Sequence, residues 1–254
     1  MTLPALEVLA ALIGGLLVGS FLNVVIYRLP RGESMIRPRS RCPSCAATLR
    51  ARDNVPVLSW ILLRGRCRDC AKPISRRYPM VEAATAALFA AVVLAAPSRA
   101  GVALGLIAVC VFLPAALIDL DHRIIPNRLL LVAAVAAVLV GTLLDPGGEP
   151  GRLIAGAAAG GFLLVAALAR PGGMGMGDVK LAAVMGLLLG ASVAAAMLIA
   201  LVLGVLVGIV VMTRRGVSAG RRTRVPFGPM LSAGGLAGVL AGASLVTWYL
   251  ATFA

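Results

Sequence analysis

The chain has 254 residues, of which 60% are hydrophobic and only 13% are charged. Soluble domains are about half apolar and one-quarter charged, so this composition excludes a soluble globular protein and indicates an integral membrane protein. The formal net charge of +14 would suggest nucleic acid binding in a soluble protein, but the basic residues lie mainly in loops beside apolar segments, so we expect no nucleic acid partner.

Eight membrane-spanning helices are predicted in chain order. A span needs about 20 apolar residues. The 34-residue apolar stretch over 179–212 is too long for one helix, so we expect a hairpin that turns near Gly190, Ala191 and Ser192. No cleavable signal sequence is expected, because no small-residue cleavage site ends the first apolar segment. The other spans are predicted near 5–27, 80–96, 101–118, 129–144, 153–169 and 230–252.

Small and amide side chains in the first span predict close helix packing. Gly15 and Gly19 form a small-xxx-small pair that lets a neighbouring helix approach. Asn23 lies four residues further along the same face, and an amide there favours a hydrogen bond between helices over a catalytic role.

The distribution of basic residues predicts the orientation of the spans. Residues 28–77 carry 13 Lys and Arg against three acids, and residues 213–226 carry five Arg and no acid. Because loops rich in Lys and Arg stay in the cytoplasm, both segments are predicted to be cytoplasmic. Alternation of eight spans then places both termini outside.

Four cysteines of the first basic loop form two CxxC pairs. The segments RCPSCAATLR and RGRCRDCAKP leave a spacer of 21 residues between the pairs. Two such pairs are typical of a tetrahedral zinc site, and although the spacer is one residue longer than usual for this pattern, a loop absorbs that difference easily. A cytoplasmic loop disfavours the alternative of two disulfides. A four-thiolate site has no open position, so the zinc is predicted to be structural. The predicted ligands are Cys42, Cys45, Cys67 and Cys70, whereas Cys110 lies inside a span and is interpreted as a small core residue.

Two aspartates at span ends are candidate catalytic residues. Asp119 is the first polar residue after the third span, and Asp178 follows the glycines of GMGD at the start of the sixth. Ionisable groups at membrane depth are costly and therefore suggest function. Span counting brings these two carboxyls, 59 positions apart, to the same cytoplasmic surface. Asp121 and His122 are interpreted as solvated.

Two neighbouring carboxyls in a partly dry site share a proton, so that one activates water and the other donates to a carbonyl. The positive N-terminal pole of the sixth helix favours a charged Asp178, and the negative C-terminal pole of the third helix disfavours a charged Asp119. Asp178 is therefore predicted to be the base. The glycines of GMGD allow close approach, and Asp178 is expected to cap the helix that follows. A purely structural role for both residues is one alternative. A proton- or ion-coupled carrier that uses Asp119 and Asp178 is another.

Taken together, several segments in order resemble the type IV prepilin peptidases. They are GSFLNVVIYRLP, the two CxxC pairs flanking NVPVLSWILLRGRC, ISRRYPMVE, IDLDHRIIPN and GMGDVK, and they cover nearly the whole chain. The resemblance implies an all-α bundle of about eight transmembrane helices with a small zinc-stabilised cytoplasmic loop domain. It implies Asp119 and Asp178 as the catalytic pair of an aspartic endopeptidase in the bacterial cytoplasmic membrane, with its active site at the cytoplasmic face.

The resemblance also implies substrates, a cofactor and a domain organisation. The substrates would be prepilins or pseudopilins of type IV pili and type II secretion, cut after the glycine of a short leader that precedes a hydrophobic helix. Members that carry the cysteine loop also methylate the new N-terminus with S-adenosylmethionine, although no residue pattern here identifies a pocket for it. The expected domains are 1–27 as the first helix, 28–79 as the zinc loop and 80–254 as the peptidase bundle.

Overall fold

The computed structural model of the protein describes residues 3–37, 39–170, 173–216 and 225–253. Within these ranges the chain is helical apart from turns, loops and two isolated β-bridges, so the predicted all-α fold is confirmed. The α-helices in the described ranges are α1 (Leu3–Arg28), α2 (Leu58–Leu62), α3 (Arg77–Ala95), α4 (Arg99–His122), α5 (Asn127–Leu144), α6 (Glu149–Ala169), α7 (Met176–Leu189), α8 (Val193–Arg215) and α9 (Gly228–Phe253).

Six stretches of the described chain are long and apolar enough to cross a membrane. One of them, Met176–Arg215, holds both α7 and α8, and Gly228–Gly242 in α9 is a shorter apolar helix. Each of the eight predicted spans therefore corresponds to a helix, and the chain is a multi-pass membrane protein. The second predicted basic loop, 213–226, lies partly outside the described residues. The six crossing stretches are Pro4–Arg31, Arg77–Ala95, Arg99–His122, Asn127–Leu144, Pro146–Ala169 and Met176–Arg215.

The predicted hairpin in the long apolar stretch is confirmed. A 3-10 turn over Gly190–Ser192 separates α7 from α8. Gly238, in the middle of α9, lies against Leu189 at the end of α7. Gly204 of α8 lies against Phe227, just before α9 begins, so α8 runs back toward the start of α9. The chain thus leaves along α7 and returns along α8, because one helix of that length would exceed the thickness of the bilayer.

The chain divides into two compact units, 1–94 and 95–254. In the first unit, α1 and α3 pack closely through small residues, as predicted. A Cβ on Gly15 would lie 2.5 Å from the Ala86 Cα, and the Asn23 amide donates to the backbone oxygen of Tyr78 at 3.1 Å. The predicted structural roles of Gly15 and Asn23 therefore agree with the packing of these helices.

A buried carboxyl group fastens the loop of the first unit to α3. Glu82 on α3 accepts a hydrogen bond from the backbone N–H of Val57 at 2.7 Å. Val57 has φ +60° and ψ −50°, a conformation that β-branched residues rarely adopt, and Leu58 N–H donates to the oxygen of Pro56 across it. Glu82 therefore stabilises a strained turn that begins α2.

The second unit is built around α4 and α7. Both helices contact α5 and α9, and α6 packs closely on α7. An ion-paired cluster closes the end of the unit near Gly190: Arg152 is buried and contacts Asp145 at 2.6 Å and Glu149 at 2.9 Å. The largest side chains at the centre are fully buried, and they include Phe112, Ile118, Leu163, Leu181, Met185 and Leu231.

Gly15→Ala is expected to loosen the packing of α1 on α3 and to lower the melting temperature in detergent. The added methyl group would meet the backbone of α3, and overpacking of this kind costs about 1–3 kcal/mol. Gly14→Ala is the matched control, because a Cβ at Gly14 meets nothing within 4 Å. Equal melting temperatures for the two variants would contradict the close helix contact.

Candidate active site and metal site

Asp119 lies in the last turn of α4, where the apolar part of that helix ends. Only 6% of the surface of Asp119 is exposed, and the preceding residue, Ile118, is fully buried. Arg123 ends the helix in a left-handed conformation, with its N–H bonded to the backbone oxygen of Asp119 at 2.9 Å. Asp121 and His122 in the same turn are exposed, in agreement with their interpretation as solvated residues.

The start of α9 contributes a partner for Asp119 that the sequence reasoning missed. The backbone N–H of Gly228, the first residue of α9, donates to Oδ2 of Asp119 at 3.1 Å in a buried contact. A donor in the first turn of a helix has no partner within that helix, so it is available to a carboxylate. The dipeptide Gly228-Pro229 was the available signal, because proline at the start of an apolar segment marks a helix N-terminus.

Asp178 lies at the opposite kind of helix end. It is the third residue of α7 and is half-buried. The expectation that Asp178 caps α7 was wrong: the N-cap residue is Gly175, in an extended conformation, and its backbone oxygen accepts the N–H of Asp178 at 3.1 Å. Asp178 still lies in the first turn, at the positive pole of the helix.

The surroundings of the two aspartates share one side chain, that of Ile125. Ile125, in the segment between α4 and α5, packs against the glycine beside each acid. A Cβ added to Gly177 would lie 3.1 Å from the Cβ of Ile125, and a Cβ added to Gly228 would lie 3.1 Å from the Cδ1 of Ile125. The structure therefore brings the two predicted residues together at one end of the second unit, with glycine backbone around them.

Lys180 forms a polar link between α7 and α5 at the same end of this unit. Its Nζ donates to Oδ1 of Asn127 at 2.9 Å, and both residues are exposed. Such a contact fixes the start of α5 relative to α7 next to Asp178.

The four predicted zinc ligands lie together in the first unit. The Sγ atoms of Cys42, Cys45, Cys67 and Cys70 all lie within 4.8 Å of one another, and all four thiols are free. A tetrahedral zinc with bonds of about 2.3 Å places its sulfur ligands about 3.8 Å apart. The Cys42 and Cys70 sulfurs are 3.9 Å apart, so the donor set fits zinc.

The two cysteine pairs share one backbone conformation. In each, the N–H of the first cysteine bonds to the oxygen five residues later, and the residue after the second cysteine is left-handed. Those residues are Ala46 and Ala71, with φ of +58° and +55°. The backbone N–H groups of Ser44 and Cys45 lower the pKa of the Cys42 thiol to about 6, which favours the thiolate that binds metal.

Contacts within the spacer hold the pairs in place. The Trp60 indole of α2 covers Gly65 and donates to the backbone oxygen of Ile74 at 3.2 Å. The guanidinium group of Arg68, which lies between the second pair of cysteines, donates hydrogen bonds of 2.7–3.0 Å to both carboxylate oxygens of Asp53. This arrangement pulls the pKa of Asp53 below its usual range, because the guanidinium hydrogen bond stabilises the carboxylate.

Two family profiles match the chain and together cover most of it. The profile described as the bacterial peptidase A24 N-terminal domain matches residues 13–96, and the one described as the type IV leader peptidase family matches residues 106–212. The cysteine pairs lie in the first region, and Asp119 and Asp178 lie in the second.

Three curated relatives match over almost their whole length. The type 4 prepilin-like proteins leader peptide-processing enzyme of Escherichia coli O78:H11 is 40% identical over 92% of this chain and 94% of its own. A prepilin leader peptidase/N-methyltransferase of Aeromonas hydrophila is 34% identical over 99% and 96%, and one of Bacillus subtilis is 37% identical over 93% and 95%. No solved structure matches the chain.

Cys67→Ser is expected to remove zinc from the purified protein, because one missing thiolate opens the tetrahedral site. Zinc content per chain, measured by elemental mass spectrometry, should fall close to zero and the loop should become sensitive to proteases. Cys110→Ser serves as the control, because Cys110 lies on α4 in the other unit. Full zinc content in Cys67→Ser would argue against a four-thiolate site.

Proposed function

This chain belongs to the type IV leader peptidase family, and we propose that it removes the leader of prepilin-type precursors with Asp119 and Asp178 as its catalytic pair. The observation that carries the proposal is that α4 and α7 bring Asp119 and Asp178 to the same end of the helix bundle of the second unit. Ionisable groups among membrane helices are costly, and unlike the ion-paired Arg152 and Glu149 at Gly190, these two groups carry the same charge, which indicates a chemical use.

The proposed mechanism is that of an aspartic peptidase. One carboxylate takes a proton from a water molecule, whose oxygen attacks the carbonyl carbon of the scissile peptide, while the other carboxyl donates its proton to the carbonyl oxygen. The tetrahedral intermediate then collapses, the carbon–nitrogen bond breaks, and the amine leaves with a proton from the pair.

The proposed substrates are prepilins and pseudopilins of type IV pili and type II secretion, cut after the glycine that ends a short basic leader. The names of the curated relatives support this substrate class. The hydrophobic helix that follows the leader would enter the bundle sideways from the lipid and stop with its glycine carbonyl at the two acids. The positive-inside rule, applied to residues 28–77, supports a bacterial inner-membrane protein whose active site faces the cytoplasm.

We further propose that the protein methylates the amine that cleavage exposes. Two of the relatives carry N-methyltransferase in their names, and this chain keeps the cysteine-bearing loop. Zinc held by Cys42, Cys45, Cys67 and Cys70 would supply structure and no chemistry, because four thiolates leave no open coordination position. On this proposal, 1–27 is the first transmembrane helix, 28–79 the zinc loop domain and 80–254 the peptidase bundle.

S-adenosylmethionine is the proposed methyl donor, and the first unit has a cavity whose lining suits it. The cavity measures about 310 Å³ and combines two guanidinium groups, Arg28 and Arg39, with the Asn54 amide and apolar side chains such as Val24 and Leu49. The guanidinium groups match the carboxylate of the donor, and the amide with its apolar neighbours matches the adenine.

The alternative of an ion- or proton-coupled carrier is not supported. The relatives named above are peptidases, and the two acids lie at helix ends on one side of the second unit, whereas a carrier site lies near the middle of its helices.

Peptidase activity is tested by mass spectrometry of a prepilin N-terminus after incubation with the purified protein and S-adenosylmethionine in lipid. Wild type is expected to remove the leader and add one methyl group. Asp119→Asn and Asp178→Asn should each slow cleavage by at least about a hundredfold, the effect of losing one acid–base group. Asp121→Asn is the matched control and should cleave normally, because Asp121 is exposed. Normal cleavage by either candidate variant would remove that residue from the catalytic pair.

Binding of the methyl donor is tested without turnover. Equilibrium dialysis with radiolabelled S-adenosylmethionine should show at least about tenfold weaker binding by Arg39→Gln than by wild type, because a charge-assisted hydrogen bond is lost. Arg99→Gln, at the start of α4 in the other unit, should bind normally, because Arg99 is not one of the residues that line this cavity. Unchanged binding by Arg39→Gln would place the donor elsewhere.

A further inference from the structure

The contact between Gly228 and Asp119 joins two segments that are 109 positions apart. The amide of Gly228 opens α9 and donates its hydrogen bond to a buried carboxyl oxygen of Asp119. An amide at this place therefore sets both the position and the charge state of the Asp119 side chain.

The absence of a side chain at Gly228 is as important as its amide. A Cβ built there would lie 2.6 Å from Oδ2 and 3.1 Å from Cγ of Asp119, and 3.1 Å from Ile125 Cδ1. Real Cβ atoms do not approach other heavy atoms as closely as 2.6 Å, so any other residue would displace the carboxyl group. Glycine allows the helix N-terminus to meet the carboxylate directly.

We propose that Gly228 is a positioning residue of the peptidase site, whose amide holds the Asp119 carboxyl group in the place where it acts on the substrate. This inference rests on the proposed peptidase function. A hydrogen bond from an N–H group favours the charged form of a carboxyl group, and the positive pole of α9 acts in the same direction. Asp178 lies in the first turn of α7, so each carboxyl group of the pair has the positive pole of a helix beside it.

This contact adds to the helix poles of α4 and α7, from which the sequence predicts Asp178 as the base. That prediction counted the negative pole of α4 against a charge on Asp119. It omitted the start of α9, which the fold brings to the same carboxyl group. The amide of Gly228 therefore offsets the pole of α4 at Asp119.

The kinetic test compares Gly228→Ala with Gly235→Ala. Gly228→Ala should lower kcat of precursor cleavage by about a hundredfold and leave KM within about twofold, because misplacement of a catalytic group by about 1 Å has that effect. Gly235 lies two turns further along the same face of α9, and its Cβ would press on the Phe112 ring of α4 at 2.7 Å. Gly235→Ala therefore overpacks the same helix pair away from Asp119, and should lower the melting temperature without the selective loss of kcat. Equal losses of kcat in both variants, or none in Gly228→Ala, would overturn the proposal.

A spectroscopic test needs no change at Gly228 and no substrate. Phe227-Gly228 is the one Phe-Gly pair in the sequence, so labelling with carbonyl-¹³C phenylalanine and ¹⁵N glycine gives a single amide signal in NMR, that of Gly228. The signal is expected to move strongly in Asp119→Asn, where the charge on the acceptor is lost, and little in Asp178→Asn. An unchanged Gly228 amide signal in Asp119→Asn would overturn the proposal even if wild type cleaves prepilin. An inactive wild type whose signal responds as expected would instead reject the proposed function.

Discussion

The cost of keeping a carboxyl group within an apolar helix bundle is the constraint on which the site depends. Lipid and apolar side chains offer no hydrogen bonds, so an ionised carboxylate persists there only beside donors that the fold supplies. Helix N-termini are the places where a helical membrane protein has such donors to spare. Asp178 lies in the first turn of its own helix, and Asp119, at a C-terminus, takes its donor from the first turn of α9.

Both arrangements depend on glycine, because the glycine next to each acid, Gly177 or Gly228, is packed too closely to carry a side chain without a shift of its neighbours. Ile125 packs against both Gly177 and Gly228. The same device recurs in the first unit, where Gly15 lets the backbones of α1 and α3 meet. In the membrane, where burial of apolar surface gives little net drive, such close contact between helices is what stabilises a bundle.

The loop of the first unit meets a different constraint. It is short, strongly basic and almost without core residues, so four thiolates and a few polar contacts take the place of a hydrophobic interior. Two copies of one backbone turn, each with a left-handed alanine, bring the sulfurs together. Glu82 adds one more polar contact, a hydrogen bond that holds the turn at Val57 against α3.

The sequence by itself determined the features that follow from local pattern: the apolar spans, the break at Gly190–Ser192, the cysteine spacing and the two aspartates at span ends. Each depends on residue type and spacing, which a single chain displays directly. Only the tertiary structure decided that Gly175 rather than Asp178 caps α7, and that the amide of Gly228 meets Asp119. A backbone N–H group belongs to nearly every residue, so the dipeptide Gly228-Pro229 indicates a helix start but not the carboxylate that its amide meets. Which carboxylate it serves is fixed by how α9 packs against α4, across 109 positions of chain.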